Sequence, residues 1–342
     1  MKTLLTKLAE HEPLTREDTS RAMRLILSGE AAPEQIAAFL LGIRSRGETP
    51  DELAGMTSVM REFAVPVVAP EGAIDIVGTG GDRSGSFNIS TTAAFVCAGA
   101  GVPVAKHGNR SVSSKCGASD VLAELGVQTE LGKEGVEFCL EHAGMAFLFA
   151  PFFHPAMRHV APVRRVLGVR TAFNILGPMC NPAGVKRQLV GAFSWHMAEL
   201  MTRILQRLGS ESIVCVHAED GMDEISISGQ TRVFRFDPED ESIRDEIINP
   251  EQFGLIRADH SAIQGGDAPE NARILRDVFN GKPGAPRDIV LLNSAFALMC
   301  AGVVGSPEEG ISRAAESIDS GKAAGVLADL IRISHEAPRA TA

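Results

Sequence analysis

From Ile74 onward the chain alternates short β-rich runs with helical ones, and no other feature narrows its fold as much. "IDIV" leads through a loop to "TTAAFVCAGAG", and "VPVA" leads through a loop to "SDVLAELG". "MAFLFA", "QLVGAF" and "SIVCVHA" follow, with helical patterns between them. Such crossovers return the chain to the same edge, so successive strands run parallel. The expected fold is α/β, a mainly parallel sheet flanked by helices. Residues 1–70 read differently. Thr15-x-x-Asp18 has the form of a capping box before "TSRAMRLILSG". Pro33 opens "PEQIAAFLLGIRSRG", with Ile36, Phe39, Leu40 and Ile43 on one face. Thr49-Pro50-Asp51-Glu52 supplies an N-cap, an N1 proline and an N3 glutamate ahead of Leu53, Met56, Met60 and Phe63. "VPVVAPEG", residues 65–72, breaks the pattern and reads as a hinge. The expectation is a smaller all-helical domain over 1–70 joined to a larger α/β domain over 71–342. The runs "EISIS" and "TRVFRF" predict an added hairpin, and the chain turns mostly helical again from Pro269.

The loop after the first strand, "GTGGDRSGSFNIST", exposes much backbone and little side chain. Such loops let N–H groups approach an anion, although a tight helix–strand turn uses the same residues. A Rossmann fingerprint needs glycine where Arg83 stands, and a Walker loop needs Gly-Lys-Ser/Thr where Gly85 precedes Ser86 and Phe87. Asn88, Ser90 and Thr91 can cap the next helix, or hold a phosphate together with its N-terminus. Asp82 is the odd member, because a carboxylate repels phosphate. A magnesium ion between acid and phosphate removes the conflict, and the Ser90 hydroxyl can join it.

Three further constellations carry chemistry. "KHGNRSVSSKCGASD", residues 106–120, is a basic, hydroxyl-rich loop after the second strand; alone it could be a solvated surface. Loops at successive parallel strand ends converge on one edge, where ligands bind. "HPAMRHVAPVRRVLGVR" places Arg158 and Arg165 on one helical face, with Arg164 turned away from Arg165. One arginine of that helix can grip a carboxylate while its neighbours stay solvated. His154 and His159 lack the spacing and the glutamate of a zinc motif. Asp223 and Glu224 are adjacent acids at the start of a predicted strand. They would face opposite ways, and serve different metal positions, unless the backbone turns there.

Composition excludes several classes. The net charge of −10 disfavours a general polyanion binder, so no nucleic-acid partner is expected. The six cysteines contain no CxxC pair and read as reduced, buried thiols. Acids enter the N-terminus too early for a secretory leader, and the uncharged runs 87–105 and 289–307 read as core, not membrane spans. A cytoplasmic enzyme without membrane association is expected.

The blocks "GTGGD…NIST", "KHGNRSVSSK", "HPAMRHVAPVRRVLGVRTAFNILGP" and "DGMDEIS" resemble the anthranilate phosphoribosyltransferase family. GTGGD alone is shared with related nucleoside phosphorylases; its combination with KHGN and NIST is far more specific. The resemblance implies transfer of phosphoribose from phosphoribosyl pyrophosphate (PRPP) to the amine of anthranilate, with Mg²⁺, in tryptophan synthesis. It also implies a homodimer, a nucleoside phosphorylase/phosphoribosyltransferase type of fold, and a helical domain that takes in a segment around 168–186. Carried over by position, Gly78, Gly81, Asp82, Ser86, Asn88, Ile89, Ser90 and Thr91 are implied at the PRPP site. So are Lys106, His107, Gly108, Asn109, Arg110, Ser111, Val112, Ser113, Ser114 and Ala118. Gly78, Asn109 and Arg164 are implied for anthranilate, and Ser90, Asp223 and Glu224 for the metal. No acid–base catalyst is implied. Ala118 stands where the family usually has serine, and the missing hydroxyl weakens one phosphate contact by about 1 kcal/mol. Two rivals remain open: a nucleoside phosphorylase on the same fold, and a non-catalytic nucleic-acid-binding relative.

Overall fold

The computed structural model describes residues 1–80, 82, 84–110, 115–237 and 241–339. Four helices open the chain: α1 (Lys2–Ala9), α2 (Arg16–Leu27), α3 (Pro33–Arg46) and α4 (Pro50–Glu62). Their starts follow the capping signals. Thr15 Oγ1 accepts the Asp18 N–H at 3.1 Å, and the Asp18 carboxylate accepts the Thr15 N–H at 3.2 Å. Thr49 and Glu52 repeat this exchange at 3.3 and 3.0 Å. Each box satisfies two main-chain donors that a helix start would otherwise leave unpaired.

Seven strands form one sheet: β1 (Ile74–Gly78), β2 (Val104–Gly108), β3 (Met145–Phe149), β4 (Arg187–Gly191), β5 (Ser212–Ala218), β6 (Thr231–Phe236) and β7 (Ile243–Ile248). Their order is β3-β2-β1-β4-β5-β6-β7. The pairs from β3 to β5 are parallel, and the pairs β5–β6 and β6–β7 are antiparallel. Strand β1 lies between β2 and β4, so the winding reverses there. Loops leaving the C-terminal ends of such strands part and open a crevice. Helix α5 (Ile89–Gly99) follows β1. It packs, with the helices Ala285–Ala301 and Lys322–Glu336, into a core that also takes Ile74, Ile76 and Val104 from the sheet.

A second core joins α1–α4 to Ala172, Phe173, Ile175, Leu176, Met179 and Cys180. It continues through the helix Trp195–Arg207 onto Val190, Ile213, Cys215 and Phe234 of the sheet. The six cysteines are all buried and unbridged. Among the described residues, no helix is long and apolar enough to cross a membrane.

The structure corrects three local expectations. The run 224–228 is not a strand, and the hairpin is β6 with β7 instead. Side chains take up the main chain there: Asn293 bonds both the N–H and the carbonyl of Ile225, and Thr231 Oγ1 accepts the Ser226 N–H. The arginine-rich stretch is not one helix. A 3₁₀ turn, Pro155–His159, precedes the separate helix Ala161–Leu167, so Arg158 and Arg165 share no continuous face. Third, β2 extends through Gly108, so Lys106 and His107 lie in the strand and not in the loop after it. Both are buried; neighbours take up the Lys106 ammonium, which hydrophobic periodicity does not register.

Candidate active site

The glycine loop rises from β1 and is pinned at once: the Thr79 N–H donates to the Gly191 carbonyl at 2.9 Å. The Gly80 N–H then donates to Asp223 Oδ2 at 2.8 Å. Glycine is required where strands and acid meet. A Cβ on Gly78 would stand 2.5 Å from Asp223 Oδ2, and one on Gly191 would stand 1.6 Å from the Asp223 carbonyl oxygen. Past the loop, α5 presents its first turn to the second acid, where the Ser90 N–H donates to Glu224 Oε1 at 3.1 Å.

The backbone bends at Asp223 and Glu224, so the two acids reach neighbouring donors at the same crevice. Asp82 lies beside Asp223. Burial first, and then the charge of Asp82, push Asp223 above the usual carboxylate range; burial and Asp223 do the same for Glu224. Lys106 faces them from β2, donating to the Ile76 carbonyl and, at 3.3 Å, to Ser90 Oγ. Burial lowers its pKa, opposed by the charges of Asp75, Glu224 and Asp223. Like charges crowded into a buried crevice suit a divalent cation. Among the described residues no three His, Cys, Asp or Glu side chains form a ready-made ion cage.

Other expected site residues are placed more diversely. Asn88 caps nothing; its side chain ties Cys116 O (3.3 Å) to Asn271 (2.9 Å). Ile89 and Thr91 are buried. Ser86 bridges to Gln264 and shares a 3.1 Å hydroxyl contact with Ser84. His107 points to the opposite sheet face from Lys106. Its ring stands 5.2 Å from that of His154. Burial and His154 push His107 down to about 3, against a hydrogen bond to the Gly177 backbone. Arg110 pairs with Glu130 at 2.6 Å and lies over the Phe149 ring. Asn109 Oδ1 accepts the Arg110 N–H at 2.7 Å. The Cβ of Ala118 lies close to Gly108. Its neighbour Ser119 is buried and donates to Thr129 Oγ1 at 3.3 Å, so it does not supply the missing hydroxyl. Gly81, Ser111, Val112, Ser113 and Ser114 lie outside the described residues.

Arg164 belongs to the helical side. Half-buried, it holds its guanidinium 5.4 Å from the Phe173 ring centroid, and desolvation lowers its pKa. Among the described residues it has no ion-pair partner, whereas Arg165 is exposed. A half-buried cation without a counter-charge favours an anionic ligand. No described contact joins it to Gly78 or Asn109.

Sequence reasoning missed the supports. The segment 177–182 is held at three carbonyls: Gln188 takes Pro178 at 3.0 Å, Arg61 takes Met179 at 2.8 Å, and the Val67 N–H takes Pro182 at 3.1 Å. The only prior signal for Gln188 was a polar residue inside the apolar run "QLVGAF". His260, whose ring nitrogen meets the Ser84 carbonyl at 2.7 Å, gave no comparable signal, nor did Asn271, Asp75 and Asn181.

With this geometry in view, likeness to known proteins decides the family. A glycosyl transferase family helical bundle domain matches residues 2–64, and the a/b domain of the same family matches 70–324. An anthranilate phosphoribosyltransferase of Salinibacter ruber is 54% identical, covering 98% of this chain and 99% of that one. The chain belongs to the anthranilate phosphoribosyltransferase family. A Rhodopseudomonas palustris relative of the same name is 49% identical over 98% of both chains. The crystal structure of the Thermus thermophilus anthranilate phosphoribosyltransferase superposes with a TM-score of 0.91 at 41% identity, covering 97% of this chain and 99% of that one. The Saccharomyces cerevisiae enzyme in complex with PRPP and Mg matches with a TM-score of 0.88 at 29% identity, covering 98% of both. The expected α/β fold, the enzyme class and the phosphoribosyl-transfer activity hold.

Proposed function

We propose that the crevice over β1, β2 and β4 takes PRPP and that the helical side brings anthranilate to it. The observation that carries this reading is the gathering of Lys106, Ser90, Asp82, Asp223 and Glu224 around the start of α5. The N–H groups of the glycine loop and of α5 would receive the pyrophosphate, with Lys106 as a fixed positive charge. Asp223, Glu224 and the Ser90 hydroxyl would hold magnesium, which supplies positive charge to the departing pyrophosphate. Arg164 would grip the anthranilate carboxylate, with Asn109 beside it. The aromatic amine is neutral at pH 7, so attack on C1 of the ribose needs orientation more than a base. The amine nitrogen forms the new bond as the C1–O bond to pyrophosphate breaks, and the surplus amine proton leaves to solvent. The rate then comes from positioning and from stabilising the leaving group.

We further propose a hinge at 65–72 between a helical domain of residues 1–70, extended by 168–186, and the α/β domain, closing over the substrates. A homodimer fits the apolar side chains exposed at Leu41 of α3, at Val166 of the helix Ala161–Leu167 and at Val169 just beyond that helix. A cytoplasmic location fits a biosynthetic role. The decisive assay follows the loss of anthranilate fluorescence on adding PRPP and Mg²⁺. It should be enzyme-dependent, and its magnesium dependence should change in an Asp223→Ala/Glu224→Ala variant. Persistence of fluorescence with the native chain would end the reading.

A further inference from the structure

Strands β1 and β2 are neighbours, yet they pair only at Ile74↔Val104. By contrast, β1 and β4 pair at every position from Ile74↔Arg187 to Gly78↔Gly191. The next step of a parallel β1–β2 ladder would join the Ile76 N–H to the Ala105 carbonyl, and the His107 N–H to the Ile76 carbonyl. Side chains take all of these groups instead. Lys106 Nζ donates to the Ile76 carbonyl. Asn181 Nδ2 donates to the Ala105 carbonyl at 2.8 Å. The Asp75 carboxylate accepts the His107 N–H at 3.2 Å and also the Ile76 N–H. The same Asn181 amide donates to the second Asp75 oxygen at 2.8 Å. Asp75, Lys106 and Asn181 are 0, 2 and 3% exposed.

Two central strands have thus exchanged backbone bonds for a wedge of buried polar side chains. Apolar side chains with a closed ladder would cost less, because a buried carboxylate and a buried ammonium each carry a desolvation penalty. What the wedge supplies is a place for the ammonium. Lys106 enters from the α5 face, between the Ile76 carbonyl and the Ser90 hydroxyl. Asp75 and Asn181 keep the strands apart from the opposite face. Of the opposing charges acting on Lys106, Asp75 is the strongest, ahead of Glu224 and Asp223. A magnesium ion would draw on the latter two, whereas Asp75 lies on the far face of the sheet and stays available to the ammonium.

We propose that Asp75, locked by Asn181, is a positioning residue for phosphoribosyl transfer, holding the β1–β2 seam open so that the Lys106 ammonium is fixed beneath the pyrophosphate. The inference rests on the assignment of Lys106 to PRPP made above. The test is a double-mutant cycle on PRPP binding with Mg²⁺, read by isothermal titration calorimetry on the full chain. Asp75→Asn should weaken PRPP about tenfold in the native background. In a Lys106→Met background the same change should cost less than about twofold, since its target is gone. The KM for anthranilate should stay within about twofold of native in Asp75→Asn. Equal weakening in both backgrounds, or a lower Tm with unchanged PRPP affinity, would overturn the proposal. Unchanged affinity in Lys106→Met alone would instead overturn the assignment of Lys106. Should Asp75→Asn not fold, Asn181→Ser carries the same cycle. A loss of PRPP affinity that depends on Lys106 supports the proposal, and native affinity refutes it.

Discussion

Arg164 and His154 show how burial sets the behaviour of single side chains. Arg164 is half-desolvated beside the Phe173 face and, among the described residues, has no ion-pair partner, so the proposed anthranilate carboxylate would meet a charge-assisted donor there. Arg164→Ala should therefore raise the KM for anthranilate by at least about tenfold and leave that for PRPP nearly unchanged. Steady-state kinetics with each substrate varied will check this, and equal effects on both would point to a fold defect. His154 is buried against His107, and burial pushes it down to about 4, against a hydrogen bond to the Cys180 backbone. In the unfolded chain it titrates near 6.5. The unfolded state therefore binds more protons between those values, and stability falls as pH drops from about 6.5 toward 4. His154→Gln removes that uptake. Between pH 7 and pH 5 its unfolding free energy should fall by about 2 kcal/mol less than the native chain's. Urea titrations of both proteins at the two pH values measure the difference, and parallel losses would show that the ring is protonated in the fold.

Between elements, the site depends on how closely the loop carrying Asp223 approaches β1 and β4. The absence of a side chain at Gly191 brings the Asp223 carbonyl against the strand, and the bend that follows turns both acids into the crevice. Gly191→Ala has no small adjustment available, because its Cβ would meet backbone and not a flexible side-chain end. It should lower kcat by about a hundredfold while far-UV circular dichroism stays native, since a displacement of about 1 Å at a positioned group can cost that much. A native rate would mean that the acids tolerate displacement. At this scale the sequence was half legible. "GTGGD" and "DGMDEIS" announced a glycine loop and paired acids from composition alone. That the run 224–228 bends instead of forming a strand depends on Asn293, which is distant in sequence and bonds both main-chain groups of Ile225.

At the scale of the molecule, the helical layer and the sheet share a core, and the segment 177–182 is gripped from both sides, by Arg61 of α4 and Gln188 of β4. The exposed apolar side chains Leu41, Val166 and Val169 make a prediction for the proposed homodimer at this scale. Leu41→Glu combined with Val166→Glu should convert a dimer into a monomer in sedimentation equilibrium, since a charge in an apolar interface must be desolvated without a partner. An unchanged mass would place any interface elsewhere.

Local chemistry alone determined much of this protein. Capping residues set the starts of α2 and α4, strand–helix alternation set the sheet type, and contiguous blocks of glycine, base and acid marked the candidate site. All of these act within a few residues, where the chain's own geometry fixes what can meet. Only the tertiary structure decided that Lys106 and His107 lie inside β2 on opposite faces, that Asn88 is a tie and not a cap, and that Asp75 and Asn181 take up the backbone groups of the β1–β2 seam. Each outcome is the pairing of a buried polar group with a partner distant in sequence. Desolvation makes such pairing obligatory, but which partner answers is settled only when the strands and helices stand side by side.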